Sequence, residues 1–260
     1  MPTTIPTTTS STRPGSPSTG DAYFETDTNN YIIYDGANWR GYESDGAFGT
    51  FTFTSNSYSG NFDGTADYIS VGTISQLNAS SDFSLACYFR LDSTASVQHL
   101  FGAGSGNDDR VWGQVRNSTT IRIGVGSAND DFTVSTLSTG TWYHIVFSIS
   151  GTSCTLYLNK NSQGSATVNS LTSTTFNNFM IGSLPTTAGF AGGFYYDGNL
   201  DEVALFDSAL TSTQVADIYD SKLYVSPTAM YRLENDVTDE TGNYDGTNNG
   251  VTFSTTDKPY

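Results

Sequence analysis

The residues with the most chemical potential in this chain are Asp201 and Glu202, adjacent carboxylates in "DGNLDEVALFDSALTSTQVADIYDSK" (197–222). Alternation along a strand puts Asp201 on one face with Val203 and Leu205. It puts Glu202 on the other with Leu200, Ala204 and Phe206. Two carboxylates that cleave a glycosidic bond must flank the same bond, and neighbours on opposite faces do not. The chain has five glutamates, Glu25, Glu43, Glu202, Glu234 and Glu240, and none belongs to an E-x-D-x-E run. His99 and His144 are far apart, each inside an apolar strand pattern, and no serine or cysteine nucleophile signature accompanies them. A triad is unsupported, and no enzymatic activity is expected. If Val203 and Leu205 enter a core, Asp201 lies at its rim, where an ionised carboxylate needs backbone N–H donors or a cation.

The bulk composition narrows the partners. Ten Lys and Arg stand against 26 Asp and Glu, a formal charge of −16. Such a surface repels phosphate backbones and anionic membranes, so no nucleic-acid partner and no membrane insertion are expected. Cys87 and Cys154 each share strand parity with apolar neighbours, which predicts two buried thiols, a disulfide being the alternative. The opening "MPTTIPTTTSSTRPGSPSTGD" has no apolar h-region and no cleavage site, and no stretch is long enough to cross a bilayer. The expected place of synthesis is a cytoplasm.

The elements that would position these residues are many short strands. Residues 1–19 form a Pro/Ser/Thr/Gly arm with little to bury, expected to be extended unless a partner orders it. Residues 20–46 read as a three-stranded meander with Tyr23, Phe24, Tyr31, Ile33, Tyr34 and Trp39 on its strands. It is too small to be stable alone, so these six residues are the candidate attachment and oligomerisation surface. From about residue 47, ten or more alternating segments bounded by Gly, Asn, Asp or Ser predict two packed antiparallel sheets, a jelly-roll sandwich in an all-β chain. "SALTSTQVADIYDSK" predicts one short helix near 211–221, with Thr211 and Gln214 as a capping box. The aromatic residues Trp112, beside "GNDDR", and Tyr195 and Tyr196, in "GGFYYDG", are candidate glycan platforms; ordinary packing is the alternative for each.

Two resemblances extend this reading. The order "FDG-x-x-D-Y-I", "F-S-L-A-x-Y-F", "W-Y-H-I-V", "L-Y-L-N-K-x-x-x-G" and "G-x-L-D-E-V-x-L-F-x-x-A-L-T-x-x-Q-V" resembles the laminin-G-like, concanavalin A-like lectin domains. That places the sandwich at 47–225 and implies a lectin-like head that binds cell-surface glycans. In calcium-containing members an aspartate in the last strand ligates the ion, and Asp201 matches that position. A segment like "AMYRLENDVTDETGNYDGTNNGVTFS" (229–254) precedes "FDG" in the family and here comes last. The favoured reading is a permuted arrangement, in which residues 226–260 complete the same sandwich. Strand exchange between copies and a vestigial repeat are the alternatives. Under permutation, Asp239 and a Gly242 carbonyl join Asp201 at a Ca²⁺ ion. The meander resembles the "G-D-x-Y…Y-D-G-x-x-W" motif of bacteriophage fibre and other virion proteins. This second resemblance implies a virion structural protein, a fibre or capsid-decoration subunit. Residues 1–46 would hold other virion proteins and sister chains, in a homo-oligomer with a trimer as the natural fibre stoichiometry. A free carbohydrate-binding module is the alternative.

Overall fold

The computed structural model describes residues 7–9, 12–18, 22–25, 30–34, 39–42, 48–52, 56–78, 80–171, 175–186, 194–221, 223–225 and 227–260. The chain divides into two compact units, one of Met1–Thr54 with Asp220–Ser226, the other of Ser55–Tyr219 with Pro227–Tyr260.

The first unit holds one six-stranded sheet. Its strands are β1 (Thr7–Thr8), β2 (Ala22–Glu25), β3 (Asn30–Tyr34), β4 (Trp39–Tyr42), β5 (Phe48–Thr52) and the late β18 (Leu223–Val225), in the order β1-β2-β3-β4-β5-β18. The expected meander is β2–β3–β4, in register through Tyr23↔Ile32 and Tyr34↔Trp39. The sheet is larger than the sequence reading at both ends. Thr7 and Thr8, from the arm, pair in parallel with Phe24 and Glu25. Phe48–Thr52, read as the first sandwich strand, instead pairs with β4 and with Leu223–Val225. Alternation identifies a strand but not its neighbour, so the boundary at 47 and the end at 225 are both displaced. Tyr23 is half-buried; the side chains of Phe24, Tyr31, Ile33, Tyr34 and Trp39 lie outside the described residues.

The second unit is the sandwich. Its strands are β6 (Ser59–Asp63), β7 (Tyr68–Gly72), β8 (Asp82–Leu91), β9 (Gln98–Gly106), β10 (Asp109–Asn117), β11 (Thr120–Val125), β12 (Ala128–Thr133), β13 (Trp142–Ser150), β14 (Ser153–Leu158), β15 (Asn161–Thr167), β16 (Phe179–Ile181), β17 (Asp197–Phe206), β19 (Ala229–Tyr231), β20 (Thr247–Asn249) and β21 (Thr252–Ser254). One sheet has the order β12-β11-β10-β9-β16-β7-β20. The other has the order β15-β14-β13-β8-β17-β6-β21, with β19 also paired to β17. This is the jelly-roll sandwich that the short alternating segments predict. Phe62, Phe83, Phe89, Phe101, Phe147, Phe176 and Phe179 fill the space between the sheets. Phe101 and Phe147 meet edge to face across it, centroids 5.7 Å apart. Cys87 and Cys154 are both free and buried, and burial pushes the Cys154 thiol up to about 12, so they serve as small apolar fillers.

The C-terminal segment contributes to both sheets of its own chain. Val203 pairs with Tyr231, Ile69 with Asn248, and Gly60 with Phe253. The helix α1 (Ser212–Ser221) starts at the expected capping box: the Thr211 amide donates to Gln214 Oε1 at 2.9 Å and the Gln214 amide to Thr211 Oγ1 at 3.3 Å. Val215 and Ile218 are its buried stripe. Among the described residues no helix is long and apolar enough to cross a membrane.

Candidate functional site

Strand β17 departs from simple alternation at the two residues of greatest interest. Asp201 pairs with Tyr88, and the next paired residue is Ala204, opposite Ala86. Two residues of β17 therefore occupy the space of one, a β-bulge. Glu202 takes up the extra residue with φ of +45°, a left-handed conformation costly for a side chain with a Cβ. Leu200, Val203 and Leu205 all face the core. Asp201 is thereby turned to the outer face with Tyr88, and does not share a face with Val203 as alternation predicts. The bulge coincides with a change of partner. Residues 197–200 pair with β6 and residues 203–205 with β19. The chain entering β6 and the chain leaving β19 both flank the opening.

Side chains from those flanks converge on it. Asp201 and Glu202 are fully buried, although they are carboxylates. Asn56 Nδ2 donates to Asp201 Oδ2 at 2.5 Å, and the Glu202 amide donates to Oδ1 at 2.8 Å. The Tyr260 hydroxyl donates to Glu202 Oε1. Glu234 receives the Ser57 amide on both oxygens, at 2.9 and 3.1 Å, and Arg232 at 3.3 Å. Lys258 Nζ donates to the Asn56 carbonyl at 2.8 Å. Burial first, and then the negative charge of Glu202, raises the Asp201 carboxyl well above the usual range, which favours its neutral form.

Asp239 lies in a different setting. It is buried, and its carboxylate accepts five hydrogen bonds from its own loop and from β19. Oδ1 takes the amides of Met230 (2.8 Å) and Thr241 (3.1 Å). Oδ2 takes Thr241 Oγ1 (2.5 Å) and the amides of Asn243 (3.2 Å) and Tyr244 (3.0 Å). Gly242, at φ +77°, provides the turn that folds these amides inward, its own amide donating to the Asp239 carbonyl at 2.8 Å. A carboxylate offers about four lone-pair sites, and all are engaged. Asp201 and Asp239 share no hydrogen-bond partner in these contacts. Among the described residues no three His, Cys, Asp or Glu side chains are grouped to hold a metal ion. Asp201, Asp239 and Gly242 thus do not fit a common Ca²⁺ site, and Asp239 acts as a cap for backbone amides.

The aromatic candidates separate by burial. Tyr196 is fully buried and packs edge to face on Phe62, its hydroxyl donating to the Arg90 carbonyl at 2.9 Å. Trp112 is 3% exposed: it lies flat over Gly124, a Cβ on which would sit 2.2 Å from the indole, and packs with Leu184 and His99. Neither ring presents a face to solvent, so both expectations are corrected to packing. His99 and His144 are buried strand residues as expected; His144 packs on Tyr88 at 4.6 Å.

Tyr195 differs. It is half-buried and lies 6.4 Å from half-buried Tyr68, the rings 30° from parallel. Phe194 beside it is 39% exposed. The loop after β6 docks here, the Gly64 amide donating to the Tyr196 carbonyl at 2.9 Å. That docking sets Asp63 directly opposite Asp197 across the β6–β17 pair, a like-charge pairing that costs stability. Asp63 falls to about 2 because Thr65 and Ala66 donate to it. Asp197 is raised by partial burial and by the charges of Asp92 and Asp63, and Asp67 by partial burial. The result is a pair of partly exposed tyrosines that lie near the opposed Asp63 and Asp197. Tyr68 lies within the "FDG-x-x-D-Y-I" stretch, but only the fold shows that it meets Tyr195.

Comparison with known proteins agrees with this architecture. Residues 63–216 match the laminin G model of the concanavalin A-like lectin/glucanases superfamily. Comparison with curated proteins finds no match. A Bacteroides ovatus protein described provisionally as carbohydrate binding superposes with a TM-score of 0.61 at 19% identity, over 94% of this chain and 71% of the other. A heptameric SAP-like pentraxin from Limulus polyphemus superposes with a TM-score of 0.57 at 16% identity, over 77% of this chain and 95% of the other. With the model matched over more than half of its length, this chain belongs to the concanavalin A-like lectin/glucanases superfamily, in its laminin G branch.

Proposed function

We propose that this protein is a non-catalytic, carbohydrate-binding structural protein of a bacteriophage virion, its sandwich acting as a lectin-like head. The observation that carries the glycan part is the Tyr68–Tyr195 pair near the opposed Asp63 and Asp197. Flat C–H faces of a sugar stack on aromatic rings, and carboxylates accept sugar hydroxyls. The cross-strand Asp63–Asp197 pairing costs stability, and a ligand that donates to both acids offsets that cost. The provisional description of the Bacteroides ovatus relative supports the same reading. The virion part is supported by the fibre-like "GDAYFETDTNNYIIYDGANWRGY" segment (20–42), which would attach a fibre or capsid-decoration subunit to neighbouring chains.

The glycan test is binding of the full chain to an array of neutral and acidic glycans, beside Tyr68→Ala and Tyr195→Ala. Binding by the parent and a loss of at least about tenfold in either variant are expected, the weight of one stacking contact. An array without any binder, or variants that bind as the parent does, overturns the glycan reading. Mass spectrometry of purified particles tests the other half, and absence of the chain from them refutes a virion role.

A further inference from the structure

The contacts around Asn56 go beyond what a sugar-binding head requires. Asn56 lies on the chain entering the first sandwich strand, and Lys258 lies close to the other end of the same unit. The Lys258 ammonium is bonded to the main-chain carbonyl of Asn56 at 2.8 Å. The side-chain carbonyl carbon of Asn56 is three bonds from that main-chain carbon, and the lysine stem is flexible. The same side chain is bonded to Asp201 at 2.5 Å, and Asp201 is completely buried. Asn56 itself is 5% exposed, and its Oδ1 has no hydrogen-bond partner. An amine, a carboxamide and a shielded carboxyl are thus placed in sequence.

We propose that Lys258 and Asn56 are joined by an intramolecular isopeptide bond, formed by the protein itself with Asp201 as the proton-transfer group. Lys258 Nζ, entering as the free amine after losing its third proton to water, attacks Asn56 Cγ. Asp201, in contact with the amide nitrogen, donates its proton to Nδ2 and so makes it a leaving group. The tetrahedral intermediate then collapses, and Asp201 regains a proton from the incoming nitrogen. The Nζ–Cγ bond forms, the Cγ–Nδ2 bond breaks, and ammonia leaves. Asp201 is restored, and no oxidant, metal or cofactor is consumed. Three features suit the step. Burial favours the protonated form of Asp201, the form that donates. The reacting groups are held within one folded unit, which replaces a bimolecular encounter by a local rotation. Asp201 has no exposed surface, which keeps bulk water from the acid. The bond would close nearly the whole sandwich into a covalent loop.

The test is the intact mass of the full-length protein after incubation at mildly alkaline pH. The expected result is a chain lighter than its sequence by about 17 Da, the mass of ammonia. A digest should contain one branched peptide joining the Asn56 and Lys258 fragments. Lys258→Arg retains the positive charge and the reach to the Asn56 carbonyl but lacks the primary amine, so it should show the full sequence mass and an unchanged far-UV spectrum. Asp201→Asn should also remain unlinked. A parent chain at full sequence mass overturns the proposal. So does a 17 Da loss that persists in Lys258→Arg, because that loss would come from cyclisation of an asparagine on its own backbone.

Discussion

Replacing Asp239 by alanine tests whether the most heavily bonded carboxylate in the sandwich is a structural cap. The substitution removes the acceptor of four backbone amides and one hydroxyl. These donors do not lose equally. The Met230 amide belongs to a strand residue with no exposure, and without Asp239 it has no route to water. An orphaned buried donor costs about 1–3 kcal/mol. The amides of Thr241, Asn243 and Tyr244 belong to half-buried or exposed residues that water reaches, so each loses roughly 0.5–1 kcal/mol. The sum is about 4 kcal/mol. For a unit of roughly 200 residues, where 1 kcal/mol shifts Tm by about 2–4 °C, the expected drop is about 10 °C. Asp239→Asn should lose about half as much, because its amide nitrogen faces donors where an oxygen accepted them. Thermal melts supply the first readout, and hydrogen exchange at Met230 the second, where protection should fall selectively. Calcium and EDTA should leave the parent melt unchanged. A variant that melts within about 2 °C of the parent refutes the capping argument, since 1 kcal/mol or less would remain for the five bonds. A parent melt that rises with calcium would return Asp239 to the role of ligand.

Other substitutions probe separate links. His99 is buried and held near a pKa of about 4, against 6.5 for an unburied histidine. Between those values the unfolded chain binds a proton that the folded chain does not, so stability falls as pH drops from 6.5 to 4. His99→Gln should flatten that part of the profile by about 3 kcal/mol, read from urea midpoints, and an unaltered slope would contradict the assignment. Asp201 has the opposite sign. Its folded pKa lies above the ordinary 3.8, so its contribution is greatest in acid and declines as pH rises above that value. Asp201→Asn should therefore gain on the parent as pH increases, and a parallel pair of pH profiles would oppose this. Gly124→Val places a side chain within about 2.2 Å of the Trp112 ring atoms, and overpacking of about 2–3 kcal/mol should appear as a lower melting point with altered indole fluorescence. An unshifted melt would show that the indole has room to move.

Much of the architecture is local and was legible in the sequence. Short alternating segments bounded by turn residues define strands, because side-chain period and backbone pleat share a period of two. Thr211 and Gln214 define the helix start, because their hydrogen bonds reach only three residues. The parity of Cys87 and Cys154 places both thiols in the core. The same local logic misplaced Asp201. A single extra residue reverses every side chain beyond it, and no neighbour in sequence reveals that the partner of β17 changes from β6 to β19 at that point. Phe48–Thr52 is a strand by pattern, but its pairing with Leu223–Val225 is a fact of three dimensions. Trp112 and Tyr196 have the composition of a platform, and the residues that cover them are distant in the chain. The sequence by itself determined most of the sandwich strands, the charge and the family, because these depend on residue types and short spacings. Tertiary structure alone decided which carboxylates are buried, which tyrosines face each other, and that Lys258 meets Asn56, because contacts across some 200 residues depend on sheet order and register, which no short pattern encodes.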